Sequence, residues 1–335
     1  EDKGLDINLQ IFNKTRGFSN LLEVATNTPN SAYRSFDIAY EQLSGRALIV
    51  YENVTASDSN VFYRIWNGTG FTAQQTLTTT LAASNTQWIR IVPMQRSNDM
   101  MIVVSTAAND LYAAYWNGTG FDGKRNLTAS AAIGQSTTMG FDFAWEGSSG
   151  KGVLIYGADA SSGTDDDILS RTFSTASPYW GIETIIVGVG ANGQFLRSVR
   201  MCSDPNSNNI GIITQDTEDD VNTRMWNLSL PLASPPTQDA TTRAAGTNNP
   251  IVDCAWYSTG AMAKFGFIDL AASSISIVNF TKGNTWRPTT LATSPNKTTG
   301  LSIKLLNSLR FTPSPTTTEV IAVALNQSTA PTGSG

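Results

Sequence analysis

An all-β chain of six repeated four-stranded units is what this sequence predicts, on three observations. The segments "NVFYRIWNGTGFTAQQTL" (60–77) and "DLYAAYWNGTGFDGKRNL" (110–127) copy one another, at a spacing of about 50 residues that marks repeat architectures. Short alternating stretches ended by an aromatic and a turn residue recur along the chain, the pattern of half-buried strands. Charged residues are only 15% of the 335, so solubility rests on hydroxyls and amides, a balance that suits an extracellular β-protein.

The elements follow in order. Hairpins of strand, closing aromatic, turn and strand occur at 6–18, 60–77, 110–127, 167–173, 220–230 and 274–286, closed by Phe12, Trp66, Trp116, Phe173, Trp226 and Phe280. The "WNGTG" copies predict a two-residue Asn-Gly turn. Upstream of the hairpins stand pairs of strands at 36–51, 89–104, 141–156, 199–214, 252–267 and 309–325, as in "FDIAYEQLSGRALIVY" and "FDFAWEGSSGKGVLIY". The last pair has no hairpin after it and the first hairpin, at 6–23, has no pair before it, so the two chain ends are expected to complete one unit between them.

That closure distinguishes a ring from a solenoid, and the repeat resembles a six-bladed β-propeller of four-stranded blades over residues 6 to 325. The resemblance implies a single domain over 1–326, with 1–30 completing the last blade. WD, kelch and Asp-box signatures are absent, so it is to an architecture and not to one family. The Ser/Thr/Pro/Gly tail, 327–335, is expected to be disordered alone and to dock on a neighbouring subunit.

Aligning the first strand of each unit sets one charged residue at a matched place: Asp37, Arg90, Asp142, Arg200, Asp253 and Arg310. Their signs alternate. In a propeller these strands line the axis, which predicts a structural ring of charges in which Asp and Arg neutralise each other. An anion site built by the three arginines is the alternative, and "IRIVP" (89–93) resembles the arginine-bearing strand of sialidases.

Cys202 and Cys254 fall in the first strands of adjacent units, which predicts a disulfide and an oxidising compartment. Buried free thiols are the alternative, because a one-step offset could turn the side chains to opposite faces. Acidic residues crowd two loops, Asp165, Asp166 and Asp167, then Asp216, Glu218, Asp219 and Asp220. Calcium could lie between them, but turn chemistry accounts for them more simply, and no cofactor or metal is expected. Sequons for N-glycosylation stand at Asn13, Asn53, Asn67, Asn117, Asn126, Asn227, Asn279, Asn296 and Asn326. Four of them, Asn13, Asn67, Asn117 and Asn227, share one place in the hairpin turn, which favours sugar at that end of the fold.

Composition excludes much chemistry. With no His, triads built on His, His-based zinc sites and His proton switches are unavailable. A net charge of −5 gives no footprint for nucleic acid. No run approaches the ~18 apolar residues of a membrane span, and the opening "EDKGLDINLQ" lacks the layout of a signal peptide. Tyr40, Glu41 and Glu146 are the titratable groups nearest the charge ring, and no nucleophile has an activating base, so no catalytic residue is assigned. The first expectation is therefore a non-enzymatic extracellular or cell-surface structural or adhesive protein that self-associates in a filament or surface layer. A glycan-binding lectin-like propeller is the second, and a sialidase-like glycoside hydrolase the third.

Overall fold

The structure is a computed structural model that describes residues 6–15, 17–26, 33–55, 58–78, 85–127, 139–157, 168–186, 196–216, 219–227, 237–240, 251–269, 274–281, 285–286, 306–314 and 316–326. All of the regular structure among them is β. The chain divides into two compact units, Glu1–Ala132 and Ile133–Gly335.

The first unit opens with a two-stranded sheet, β1 (Ile7–Asn13) and β2 (Gly17–Ala25). Sheet 1 follows with β3 (Phe36–Tyr40), β4 (Ala47–Thr55), β5 (Asp58–Trp66) and β6 (Gln75–Thr78), each hydrogen-bonded to the next. Sheet 2 repeats that order with β7 (Thr86–Pro93), β8 (Met100–Thr106), β9 (Leu111–Trp116) and β10 (Phe121–Asn126).

The second unit carries sheet 3, of β11 (Phe141–Trp145), β12 (Lys151–Gly157), β13 (Ile168–Ser174) and β14 (Trp180–Ile186), and sheet 4, of β15 (Leu196–Ser203), β16 (Ile210–Asp216), β17 (Val221–Trp226) and β18 (Thr237–Ala240). Sheet 5 holds β19 (Val252–Trp256), β20 (Met262–Asp269), β21 (Ser274–Thr281) and β22 (Thr285–Trp286). A two-stranded sheet of β23 (Leu306–Pro313) and β24 (Val320–Asn326) ends the unit. Every neighbouring pair is antiparallel, as short connections between consecutive strands require.

The second strands of sheets 1 to 5 are buried on both faces, so they are largely apolar instead of alternating. Leu48, Val50 and Val61 of sheet 1 pack on Ile89, Ile91, Ile102 and Val104 of sheet 2, while Ala47, Ile49, Tyr51 and Trp66 pack on Ile7, Val24 and Ala25 of β1 and β2. In the second unit Val153 and Ile155 meet Val199, Ile210 and Ile212, and Phe265 and Phe267 share a cluster with Ile213, Leu309 and Phe311. The closing aromatics Trp116, Phe173 and Phe280 are buried in these layers, so they are packing residues and not an exposed sugar platform.

The loop between the first two strands of each odd sheet docks on the matching loop of the next. Leu43 N and Ser44 N donate to Asn98 Oδ1 (3.2 and 2.9 Å), and Ser148 N and Oγ donate to Asn208 Oδ1 (3.3 and 2.6 Å). Gly147 permits the second approach, since a Cβ there would lie 2.2 Å from the Asp204 carbonyl oxygen.

Candidate functional site

The three aligned aspartates act across sheets. The pleat turns Asp37, Asp142 and Asp253 toward the following sheet, where each Oδ2 accepts the backbone N–H of the residue after the matched arginine: Ile91 (2.8 Å), Met201 (2.9 Å) and Phe311 (2.7 Å). First strands of neighbouring sheets share no ladder, so these N–H groups need another acceptor. Asp142 and Asp253 also take the N–H of the residue that follows each of them, at 3.0 Å. Burial pushes the Asp253 carboxyl above its usual range, opposed by the charge of Arg200, the Phe311 N–H and the charge of Arg310. Backbone donors thus hold these carboxylates, Asp37 also stands 3.8 Å from Arg34 Nη2, and at Asp253 the charges of Arg200 and Arg310 oppose the effect of burial.

Arg200 is 1% exposed, with Nη1 3.2 Å from both the Val199 carbonyl and the Met139 sulfur. A guanidinium enclosed in this way offers no surface to an anion, which removes one member of the arginine triad. Glu41 and Glu146 are structural as well. Glu41 Oε1 accepts Trp116 Nε1 (2.7 Å) and Arg46 Nη2 (2.8 Å), and Glu146 accepts the Ser149 hydroxyl.

A disulfide joins Cys202 of β15 to Cys254 of β19, with Cα atoms 5.8 Å apart. The stagger between the two sheets absorbs the one-step offset, and Trp256 Nε1 donates to the Cys202 carbonyl beside it (3.0 Å). Of the acidic loops, Asp165, Asp166, Asp167 and Glu218 lie outside the described residues. Asp216 Oδ1 accepts Asp220 N (2.9 Å), while Asp219 accepts Arg197 Nη1 and Gln215 Nε2 (3.1 Å), so these carboxylates close a turn.

The "WNGTG" connection differs from its expectation. Trp66 bridges Phe71, and Trp116 pairs with Phe121, so four residues and not two make each loop. The Asn side chain closes it. Asn67 Oδ1 accepts Thr69 N, Thr69 Oγ1 and Gly70 N at 2.9–3.0 Å, and Gly68 supplies the left-handed step at φ +94°.

Two constellations escaped the sequence reading. In sheet 1, Arg64 donates through Nε to Tyr51 Oη (3.1 Å) and through Nη1 to the Thr72 carbonyl (2.7 Å), and Tyr51 Oη donates to Gln74 Oε1 (3.0 Å). Sheet 3 repeats the set. Arg171 reaches Tyr156 Oη (3.3 Å), the Gly181 carbonyl (3.3 Å) and Glu183 Oε2 (3.1 Å), and Tyr156 donates to Glu183. Burial raises the pKa of both tyrosines. The signal that could have found them is an arginine two places before the closing aromatic, at Arg64, Arg171 and Arg224.

Glu52 is the second. It is fully buried on the Leu48–Val50 face of β4; Oε1 takes Thr86 N (2.8 Å) and Oε2 has no hydrogen-bond partner among the described residues. Burial pushes its pKa up to about 7, against the Thr86 hydrogen bonds.

No protein-family model matches this chain, and no curated protein matches it by sequence. Among solved structures, the polysaccharide lyase Uly1 aligns with TM-score 0.55 at 9% identity, over 97% of this chain and 82% of its own. The BP39L lectin of Burkholderia pseudomallei aligns with TM-score 0.50 at 11% identity, over 85% and 81%. The Aleuria aurantia lectin, described as a six-bladed β-propeller, aligns with TM-score 0.44 at 10% identity, over 76% and 77%. The neighbours include β-propeller proteins, and at such identities they speak to architecture alone.

Proposed function

We propose that this chain binds carbohydrate, through the Tyr–Arg–acceptor constellations of sheets 1 and 3. The observation that carries the reading is Arg64: Nε and Nη1 are fixed by Tyr51 and Thr72, and Nη2 takes no bond among the described residues. A planar guanidinium donor beside the exposed Gln74 amide presents a donor–acceptor fork of the kind that suits neighbouring sugar hydroxyls. The Phe62 ring, 6.3 Å from that of Tyr51, adds an apolar face. A lectin and a polysaccharide lyase among the structural neighbours support the same substrate class. The structural or adhesive reading, which followed from the lack of catalytic chemistry, gains no support from these neighbours, and the tail at 327–335 that was expected to dock on another subunit lies outside the described residues.

A glycan array with the purified protein tests this, followed by titration of the best saccharide. Arg64→Ala and Arg171→Ala each should weaken binding about tenfold, the worth of one charge-assisted hydrogen bond, while Arg64→Lys keeps part of it. An array with no saccharide bound, or affinity unchanged in the double variant, overturns the proposal. Chromatography of the same saccharide after incubation separates binding from turnover.

We also propose that the ring has six blades, the sixth formed when β1–β2 joins β23–β24. In that ring the six aligned Asp and Arg residues alternate in sign around the axis. Support comes from the repeat: five four-stranded sheets lie between the two-stranded sheets β1–β2 and β23–β24, each half of a four-stranded unit. Ile38 matches Cys254, and Thr312 matches Cys202, so Ile38→Cys with Thr312→Cys should form a second intramolecular disulfide in air. Peptide mapping under non-reducing conditions reads it, and persistent free thiols or dimers alone would sink the closure.

A further inference from the structure

The side-chain geometry sorts the sequons. Asn67 and Asn117 are exposed in loops between third and fourth strands, and in both the sequon hydroxyl already touches the amide: Thr69 Oγ1 lies 2.9 Å from Asn67 Oδ1, and Thr119 Oγ1 lies 2.8 Å from Asn117 Oδ1. Two backbone N–H groups complete each cap, Thr69 and Gly70 in one, Thr119 and Gly120 in the other. With Oδ1 held by three donors, Nδ2 is the amide atom that takes no part in the cap. That of Asn67 takes no bond among the described residues, and that of Asn117 donates one hydrogen to the half-buried Asp122 carboxylate (2.7 Å), leaving the other. The space around the Asn67 loop is open, since a Cβ added at Gly68 or Gly70 would meet nothing within 4 Å; in the Asn117 loop Gly120 is open in the same way, whereas Gly118 lies against Asn98, 3.1 Å from the Cβ it would carry.

Other sequons differ, and in that of Asn126 the hydroxyl residue Thr128 lies outside the described residues. Asn227 is half-buried and gives Nδ2 to Asn209 Oδ1 (3.0 Å). Asn279 is half-buried in β21, with Oδ1 accepting Lys264 Nζ (3.1 Å). Asn53 is half-buried within β4, opposite Asn60. Asn13 is exposed, and its Oδ1 accepts the Thr15 N–H (2.8 Å). Asn296 and the side chain of Asn326 lie outside the described residues.

We propose that Asn67 and Asn117 are acceptors of N-linked glycan. The donor is a polyprenyl-diphosphate oligosaccharide. Nδ2 loses one hydrogen as a proton and bonds to the anomeric carbon, whose bond to the phosphate oxygen breaks, and the diphosphate leaves with the electron pair. Each amide keeps its second N–H, so Asn117 can still reach Asp122. Sugar then stands on the strand 3–4 loops of sheets 1 and 2, independently of saccharide binding by the protein itself.

Turn closure alone also explains an Asn at these places, and the experiment separates the roles. The full chain is secreted from a eukaryotic host and treated with peptide N-glycosidase in 18O-water, and Asn67 and Asn117 should both be read as labelled Asp by peptide mass. Thr69→Ala and Thr119→Ala each should lose one site's label while leaving the backbone caps. Asn67→Asp keeps the oxygen cap, so it should lose one glycan of mass and leave the melting temperature of the deglycosylated protein within about 2 °C. Unlabelled Asn67 and Asn117 in secreted protein overturn the proposal, as does label that survives Thr69→Ala.

Discussion

Replacing Cys202 and Cys254 together by alanine should lower the melting temperature by about 10 °C. The disulfide ties β15 of sheet 4 to β19 of sheet 5 across 52 residues of chain. Closing a loop of that size in the unfolded ensemble costs about 4 kcal/mol in the chain-entropy account. A domain of about 200 residues loses roughly 2–4 °C for each kcal/mol. The bond sits against a cluster that includes Cys254, Phe265 and Ile213, so its loss also frees two sheets whose first strands are otherwise joined by side-chain contacts. Calorimetry reads the shift, and reductant should reproduce it in the native protein and do nothing to the variant. A shift under about 2 °C would show that packing alone sets the spacing of the two sheets.

Glu52 should make the protein lose stability as pH rises. Its folded pKa is raised from 4.5 to about 7 by burial, so between those values the native state holds a proton that the unfolded chain has released. Stability then falls with pH across that window, by about 3 kcal/mol in all, and levels off above pH 7. Asp253, also raised by burial, acts in the same direction. Glu52→Gln keeps an oxygen for Thr86 N and carries no charge. Denaturant unfolding should therefore find the variant equal to the native protein near pH 4 and about 3 kcal/mol more stable at pH 8. Equal stability at both pH values would mean that the Glu52 carboxylate is solvated in the folded state. The matched positions in sheets 3 and 5 are Gly157 and Ile268, which bring no such charge.

The repeats were legible because period and alternation are local properties. "FDIAY" and "FDFAW" each became the first strand of a sheet, and each pairs with the "ALIVY" or "GVLIY" that follows. Cys202 and Cys254 were legible for the same reason, as matched positions in neighbouring repeats. The Asn67 loop was legible only as a turn: local sequence marks the turn, and the atom that closes it, Asn67 Oδ1, follows from backbone dihedrals that the letters do not carry. Glu52 could not be read at all, because an acidic residue in a strand looks solvated until a second sheet covers it. The Arg64 and Arg171 sets needed three strands brought side by side, and the partners Thr72 and Gln74, Gly181 and Glu183 lie on the fourth strand or the loop leading to it.

By itself the sequence determined the strands, their order and the matched placing of Asp37, Asp142 and Asp253, since these depend on neighbours along the chain. Only the tertiary structure decided what those residues touch. Burial and hydrogen-bond partners come from the next sheet, about 50 residues away, and the free energy of a charge or an amide is set by what replaces the water around it.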